Sequence, residues 1–512
     1  MRLGPIMFVG TGSDVGKSVV TAAFCRIFLQ DGYSPAPFKA QNMALNSYVT
    51  PDGLEIGRAQ EVQAAACGIA PHTDMNPILL KPCGNNISQV VLNGKPYGNS
   101  DAYSYFRGEG RDLFVKEVRD AYDRLATKHQ LIVLEGAGSI SELNLKANDI
   151  VNMSMALYAK ASVILIADIE RGGVFASLYG SIMLLDQEER SLIKGIIINK
   201  FRGDIRLFDS AKKMIEDLCG VPVLGIIPYF KDIYIEEEDS VAISKRGNCF
   251  IENRVNIVVV YLNQMSNYTD FAVLERDSRV NLYYSKDPSE IKKAQIIIIP
   301  GTKSTLSDLH YIRANGIASA ILDAHKSGST IIGICGGYQI MGEEILDLEG
   351  VEGDIKHMPG LSLLPLRTYM THDKITNESE FILNSEFINH QLSGVKRDYK
   401  LDSFNVNMRG YEIHMGRSEY TCLNPKYLLM KPDGTKDGYW SEERLFGTYM
   451  HGIFDNSKFV DLIIAPYSNL FKDEQYNLNY NPYHFREDQF DKLAKLFRES
   501  VDLEKVYKII KH

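Results

Sequence analysis

The chain's 512 residues exceed the roughly 250–300 at which one hydrophobic core stops growing, so two or more domains are required. With 45% hydrophobic and 24% charged residues the composition is that of an ordinary folded protein, which excludes a disordered chain and a disulfide- or metal-stapled miniature. Fifty-six basic against 65 acidic side chains leave a formal charge of −9, so the global positive field of a non-specific nucleic-acid binder is missing and any anionic ligand needs a local site.

Taken in chain order, the first apolar run, Ile6 to Val9, flows into a Gly-rich loop with no small-residue cleavage site and reads as a strand, not a signal peptide. Further runs at Leu131–Leu134, Val163–Ala167 and Gly195–Ile198 are apolar throughout, as in strands covered on both faces. Helix-length segments at Ser18–Gln30, Asp112–His129 and Arg206–Cys219 alternate with them, predicting a parallel α/β sheet. The pattern restarts at Val255–Leu262, Gln295–Ile299 and Thr330–Ile334, and the spacing of Phe490, Leu493, Leu496 and Phe497 predicts a helical tail. The expected organisation is a domain over 1–230, a linker over 231–253 with the acidic run Glu236–Asp239 as a solvated loop, a second domain over 254–465 and a tail over 466–512. Seven scattered cysteines without a CxxC pair fit a reducing compartment, and no run approaches the ~18 apolar residues of a membrane span. A soluble cytoplasmic protein is expected, with no nucleic-acid or membrane partner.

Met7 to Ser18 read MFVGTGSDVGKS, a strand, a Gly-rich turn and a helix start. Backbone N–H groups of such a loop hold phosphate oxygens, with Gly12 and Gly16 giving close approach, Lys17 reaching the terminal phosphates and the Ser18 hydroxyl available to Mg²⁺. The strict P-loop pattern would place its first Gly where Thr11 stands, so this loop is a variant. Ile198-Asn199-Lys200 ends a strand where the Asn199 amide could offer a donor and an acceptor to adenine.

The loop resembles that of dethiobiotin synthetase and its ATP-dependent relatives, as do Phe38-Lys39 and Leu134-Glu135-Gly136-Ala137-Gly138. The resemblance implies that Glu135 approaches the metal with Ser18, that Lys39 contacts phosphate and the reacting carboxylate, and that ATP phosphorylates a carboxylate which a nitrogen nucleophile then attacks. A cationic loop with Mg²⁺ suits the charge that develops on a transferred phosphoryl group.

A second site is expected at Thr330 to Gly342, TIIGICGGYQIMG, where a buried strand meets Cys335, two glycines and a helix. Small neighbours allow the sharp turn that exposes a nucleophile, and a helix N-terminus lowers a thiol pKa. Far downstream, Gly447 to Phe454 offers His451 at the end of an apolar strand as the general base.

This half resembles the class I glutamine amidotransferases, whose G-x-C-x-G-x-Q is close to Gly333 through Gln339. The resemblance implies oxyanion donors at Gly336 and at Gly301 in the Pro300–Thr305 loop. Most members carry H-x-E, but position 453 is Ile. Asp455, Glu412 or Glu419 could substitute; the expectation adopted is a Cys–His dyad, because an Asp two residues beyond the usual position has a short arm in the wrong place. His414 is expected to be structural or glutamine-contacting.

The segments Lys39–Ser47, Glu55–Gln60, Asp74–Pro82, Asp149–Met153, Asp168–Ala176 and Asn199–Asp204 together resemble the cobyric acid synthase family over nearly the whole chain. The implied fold is a P-loop-type parallel-sheet domain followed by an amidotransferase α/β domain. The implied activity is amidation of the b, d, e and g carboxylates of adenosylcobyrinic a,c-diamide, a corrin polycarboxylate, with glutamine as nitrogen donor and ATP hydrolysed. Asn42, Asn46, Asp149 and Arg171 are the substrate candidates, although Asp149 before an apolar segment is a helix cap in the first instance. Residues 41–46 and 74–82, rich in Asn, Gln and Pro, are expected to be loops on a ligand surface and not core strands. Rival readings are the sister enzyme amidating the a and c positions and a nucleotide-switch ATPase carrying an inert amidotransferase module.

Overall fold

The computed structural model describes residues 3–84, 87–101, 104–105, 111–236, 250–393, 395, 407–470 and 482–511. In the first half, β1 (Ile6–Gly10), β2 (Pro35–Phe38), β3 (Leu131–Glu135), β4 (Ser162–Asp168), β5 (Ile193–Phe201) and β6 (Val223–Pro228) form one parallel sheet in the order β6-β5-β4-β1-β3-β2. Every residue of β1, β3 and β4 is buried, which is why their sequences are apolar without alternation. The strand order reverses beside β1, and the carboxyl ends of β1, β2, β3 and β4 open on that crevice, the place where such sheets bind ligands.

One face of this sheet packs Phe38, Leu134 and Leu165 against Phe114, Val118, Tyr122 and Leu125 of the helix Arg111–Lys128. The other face carries α1 (Lys17–Gln30), whose Val20, Phe24 and Phe28 pack over Ile6 and Phe8. The C-terminal segment is not a free-standing tail. Its helices, Pro482–Ser500 and Leu503–Ile510, bring Phe490, Leu493, Phe497, Val506 and Ile510 into the same core as α1. Phe497 meets Phe24 edge-on with ring centroids 6.1 Å apart, Arg26 pairs with Glu487 at 2.9 Å and Asp491 at 2.7 Å, and the Gly4 amide donates to the Ile510 carbonyl.

The polar segments expected as loops are largely short strands. Gln41–Met43 pairs in parallel with Ile78–Gly84 in a separate four-stranded sheet, and Asn42 and Asn46 are only 2% and 1% exposed. The sheet tolerates these side chains because their amides are satisfied inside the protein: Tyr105 donates to Gln41, Asn42 to Gln60, and Asn76 to the carbonyls of Lys39 and Ile78.

In the second half, β7 (Val255–Val260), β8 (Val280–Ser285), β9 (Ile296–Ile299), β10 (Thr330–Ile334), β13 (Tyr439–Ser441) and β14 (Leu445–Thr448) form a sheet in the order β8-β7-β9-β10-β14-β13, parallel except for β13. Between β10 and β13 the chain makes a long antiparallel ribbon of β11 (Leu366–Leu383) and β12 (Met408–Tyr420), which leans on the first half. Of the expected linker, residues 237–249 lie outside the described residues, and with them most of the acidic run; Glu236 is described, and it is not solvated but ion-paired with Arg58 at 2.6 Å. Among the described residues no helix is long and apolar enough to cross a membrane.

Because Phe497 is fully buried between α1 and the tail helices, Phe497→Ala is expected to cost about 3–5 kcal/mol. Denaturant unfolding monitored on the full chain checks this; a loss below about 1 kcal/mol would show that the tail helices do not complete the first core.

Candidate active sites

At the crevice beside β1, Gly16 adopts φ +97° and hands the chain to α1. A side chain there would strike Asn199, whose Nδ2 donates to the Val15 carbonyl at 2.9 Å while its Oδ1 accepts from the Lys200 amide. Asn199 therefore braces the phosphate loop through Nδ2, while Oδ1 turns to the amide of its own neighbour Lys200. Lys17 spans the mouth of the loop, donating to the carbonyls of Gly12 at 2.9 Å and Gly138 at 2.8 Å. The carboxylate of Glu135, at the end of β3, gathers three segments: Oε1 accepts from Ser18 at 2.8 Å and Lys39 at 3.0 Å, and Oε2 accepts from Gln63. Burial works against this charge, but Lys39 and the hydrogen bonds hold Glu135 below the usual carboxylate range.

The residues at this point suit Mg²⁺. Ser18 and Glu135 offer hard oxygen ligands side by side, and the neighbouring Gln63 Oε1 is buried without a hydrogen-bond partner. Few protein ligands are needed for an ion that keeps waters and takes substrate phosphates.

The four substrate candidates are not brought together. Asn42 and Asn46 are buried, the latter accepting from the Tyr268 amide of the second half. Asp149 accepts from the amides of Val151, Asn152 and Ser154 and so caps the segment opening Met153–Ala159, as its position before an apolar run allowed. Arg171 reaches back to Asp14 of the phosphate loop at 3.1 Å, and its side chain is 58% exposed.

In the second half Cys335 follows β10 with φ +52° and ψ −109°, strained values for a non-glycine residue, and opens α3 (Gly336–Ile340). The turn closes against the loop after β9: a Cβ on Gly337 would lie 1.9 Å from the Ile299 carbonyl oxygen, and one on Gly336 would crowd Thr302. Gly301 sits against the His451 ring, to which an added Cβ would come within 3.1 Å of Cε1. Cys335 and His451 both lie at carboxyl ends of neighbouring parallel strands, β10 and β14, and interact as hydrogen-bond and charge partners.

The dyad expectation fails. His451 Nδ1 lies 2.6 Å from Asp270 Oδ2, with both side chains buried. Asp270 Oδ1 also accepts from the Gly452 amide at 3.2 Å and the Tyr411 hydroxyl at 3.4 Å. Burial disfavours the imidazolium, yet Asp270 and Cys335 push His451 up to about 10. None of the three expected substitutes does this: Glu412 pairs with Lys431, Glu419 stands opposite Arg367 across the ribbon, and Asp455, raised by burial to about 7, faces the Arg58 side of the junction. Asp270 lies 181 residues before His451, in the turn Tyr268–Phe271. The available signal was topological. The segment Asn267–Asp270 follows β7, and all parallel strands of one sheet end at the same edge, so its carboxylate was bound to emerge near Cys335. His414, expected to be structural or glutamine-contacting, donates from Nδ1 to the Gly416 carbonyl at 2.7 Å, stacks on Tyr449 at 3.8 Å, and is lowered by burial to about 4, so it stays neutral.

A short helix connects the two sites. On α2 (Arg58–Ala66), Gln63 donates to Glu135, while Arg58 lies over the Tyr48 ring at 4.9 Å; Tyr48 packs on Tyr411 at 4.7 Å, and Tyr411 stacks on His451 at 5.3 Å.

Residues 6–241 match the CobQ/CobB/MinD/ParA nucleotide binding domain, and residues 256–459 match the CobB/CobQ-like glutamine amidotransferase domain. The chain is 54% identical over 510 residues to a protein named cobyric acid synthase from Bacteroides fragilis, with 99% of each chain covered. It is 53% identical to one from Parabacteroides distasonis, over 100% of this chain and 99% of the other, and 43% identical to one from Clostridium perfringens, over 100% of both. With a phosphate loop in one half, a cysteine–histidine–aspartate cluster in the other, and this similarity running through both, the chain belongs to the cobyric acid synthase family.

Proposed function

We propose that the first half uses ATP to convert the b, d, e and g carboxylates of adenosylcobyrinic acid a,c-diamide to acyl phosphates, and that ammonia freed from glutamine at Cys335 displaces the phosphate. The observation that supports this reading best is the presence in one chain of two separately built sites, Lys17–Ser18–Lys39–Glu135 and Cys335–His451–Asp270. Family membership makes the protein a glutamine-dependent amide-forming ligase of cobalamin biosynthesis.

In the glutaminase site Asp270 occupies His451 Nδ1 and so leaves Nε2 for the proton of Cys335. The thiolate attacks the side-chain amide carbon of glutamine, with the amides at Gly336 and Gly301 as candidate oxyanion donors. The imidazolium returns its proton to the leaving nitrogen, which departs as ammonia, and water then hydrolyses the thioester. In the synthetase site Lys17 and the loop amides around Gly12 and Gly16 meet phosphate oxygens, and Lys39 bridges toward the accepting carboxylate. Ser18 and Glu135 would hold Mg²⁺, which when bound neutralises charge on the transferred phosphoryl group. Of the substrate candidates Arg171 keeps the most solvent-facing side chain, and it is the one retained as a carboxylate contact. Mass spectrometry of cobyrinic a,c-diamide incubated with enzyme, ATP and glutamine tests the reading; amides at a or c instead would select the sister activity.

Cys335→Ala is expected to abolish glutamine-dependent amidation while amidation from concentrated ammonia persists. Equal loss with both nitrogen sources would rule out two separate sites. Lys17→Ala is expected to lower amidation from either source by at least about 100-fold, and glutamine hydrolysis measured without ATP should survive.

Asp270→Asn is expected to reduce glutaminase turnover by about 10²–10⁴-fold. Its pH behaviour follows from the signs. The Asp270 charge raises His451, so the imidazolium it stabilises is present at neutral pH and is lost as pH rises toward about 10. Without that charge burial prevails, and the ionisation moves down. The pH dependence of Cys335 alkylation reads this shift, and an unchanged alkaline limb would refute the role given to Asp270.

A further inference from the structure

The pocket in front of Cys335 is lined by Lys81, Ser266, Asn267, Lys303, Gln339, Glu352, Lys374 and Met415, among others, and its charges divide unevenly. Lys81 and Lys374 are both committed to the buried carboxylate of Glu55, Lys81 at 2.7 Å. His414, also on the wall, is neutral. That leaves Lys303 and Glu352. Among the described residues neither makes an ion pair, and they are near enough to one another for Lys303 to stabilise the charge on Glu352. Glu352 is held in place: Oε2 accepts from the Leu306 amide at 3.0 Å, and Oε1 lies 3.1 Å from the Thr305 hydroxyl. That hydroxyl has one proton and also contacts Gln339 Oε1 at 3.1 Å, so it cannot fully satisfy both. A carboxylate accepts at about four positions, and Glu352, which lines the pocket, accepts at two of them.

A site with one uncommitted cation beside one under-satisfied carboxyl group matches the two ends of an α-amino acid, whose ammonium and carboxylate are joined to one carbon. We propose that Glu352 and Lys303 are the specificity-determining pair of the glutaminase pocket, Glu352 accepting from the α-ammonium of glutamine and Lys303 pairing with its α-carboxylate. This rests on the glutaminase reading of Cys335. Burial holds Glu352 up to about 7, so the arriving ammonium completes its ionisation. Such a pair would admit a side-chain carboxamide on a free α-amino acid and disfavour one on a protein or on the amidated product, which lack the free ammonium and carboxylate that the two residues require.

The test compares kcat/KM of the full-length enzyme for three amides: glutamine, glutaramic acid, which lacks the α-amino group, and 4-aminobutanamide, which lacks the α-carboxylate. Each is assayed with the parent, Glu352→Gln and Lys303→Met. The parent should prefer glutamine to either analogue by at least about 100-fold. Glu352→Gln should compress the glutamine to glutaramic acid ratio to within about threefold and leave the ratio against 4-aminobutanamide as in the parent; Lys303→Met should do the reverse. A purely structural role would lower all three rates together and leave both ratios intact, which would overturn the assignment. Should Glu352→Gln fail to fold by thermal unfolding, the Lys303 ratios decide alone. A parent that turns over none of the amides would instead overturn the glutaminase reading itself, and this inference with it.

Discussion

Charge buried between the two halves must be paired, and this requirement fixes how the halves meet. Glu55 of the first half is held between its own Lys81 and Lys374 from the ribbon of the second half. Burial alone would favour neutral groups, yet the two ammonium ions keep Glu55 well below the usual carboxylate range, and Lys374 is lowered only to about 8. A second cluster joins Arg58 and Glu61 of α2 to Glu236 before the second half and Arg486 of the tail. Removing one partner from such a group leaves an uncompensated buried charge, at about 3–5 kcal/mol. Four stretches of chain that are distant in sequence are thereby held in one arrangement.

The consequence for function is geometric. Helix α2 is nine residues long, and its two ends address different chemistry. Gln63 fixes one oxygen of Glu135, the carboxylate that also takes Ser18 and Lys39. Arg58, anchored by Glu236, lies over Tyr48 and so backs the aromatic stack that ends on His451. The residues that would transfer phosphoryl and those that would release ammonia are thus registered against one short helix.

What could be seen in the sequence was what short-range physics controls. Continuous apolar runs such as Val163–Ala167 marked strands covered on both faces, and the Gly-rich turn before Lys17 and the glycines after Cys335 marked places where backbone must approach closely. What escaped was decided by distant contacts. Polarity argued against strands at Gln41–Met43, but tertiary partners for Gln41, Asn42 and Asn76 made burial possible. The helical tail was legible from its spacing, whereas its place on the sheet beside α1 was not, since Phe24 and Phe497 carry no local mark of each other. Asp270 carries no local mark of its role, since the usual carboxylate of the resembled family stands two residues after the histidine, whereas here the turn after β7 supplies it across the sheet edge.

That substitution has a structural cost which the first half meets. Asp270 stands on a turn that begins with Asn267 at φ +52°, an unusual conformation that needs holding. The holding groups come from the other domain: the Ser47 amide donates to Asn267 Oδ1 at 3.0 Å, and Asn46 Oδ1 accepts from the Tyr268 amide at 3.2 Å. Ser47 in turn receives Lys81, which belongs to the Glu55 cluster and lines the pocket before Cys335. The carboxylate paired with the histidine, the wall of the pocket before Cys335 and the salt bridges of the junction are therefore one continuous assembly. A second half isolated from the first would keep Cys335 and His451 on their strands, since β10 and β14 pair within it, but would lose the braces on the Asp270 turn. Separate candidate catalytic sequences are legible in each half, and the turn that carries Asp270 to His451 is braced where the halves join.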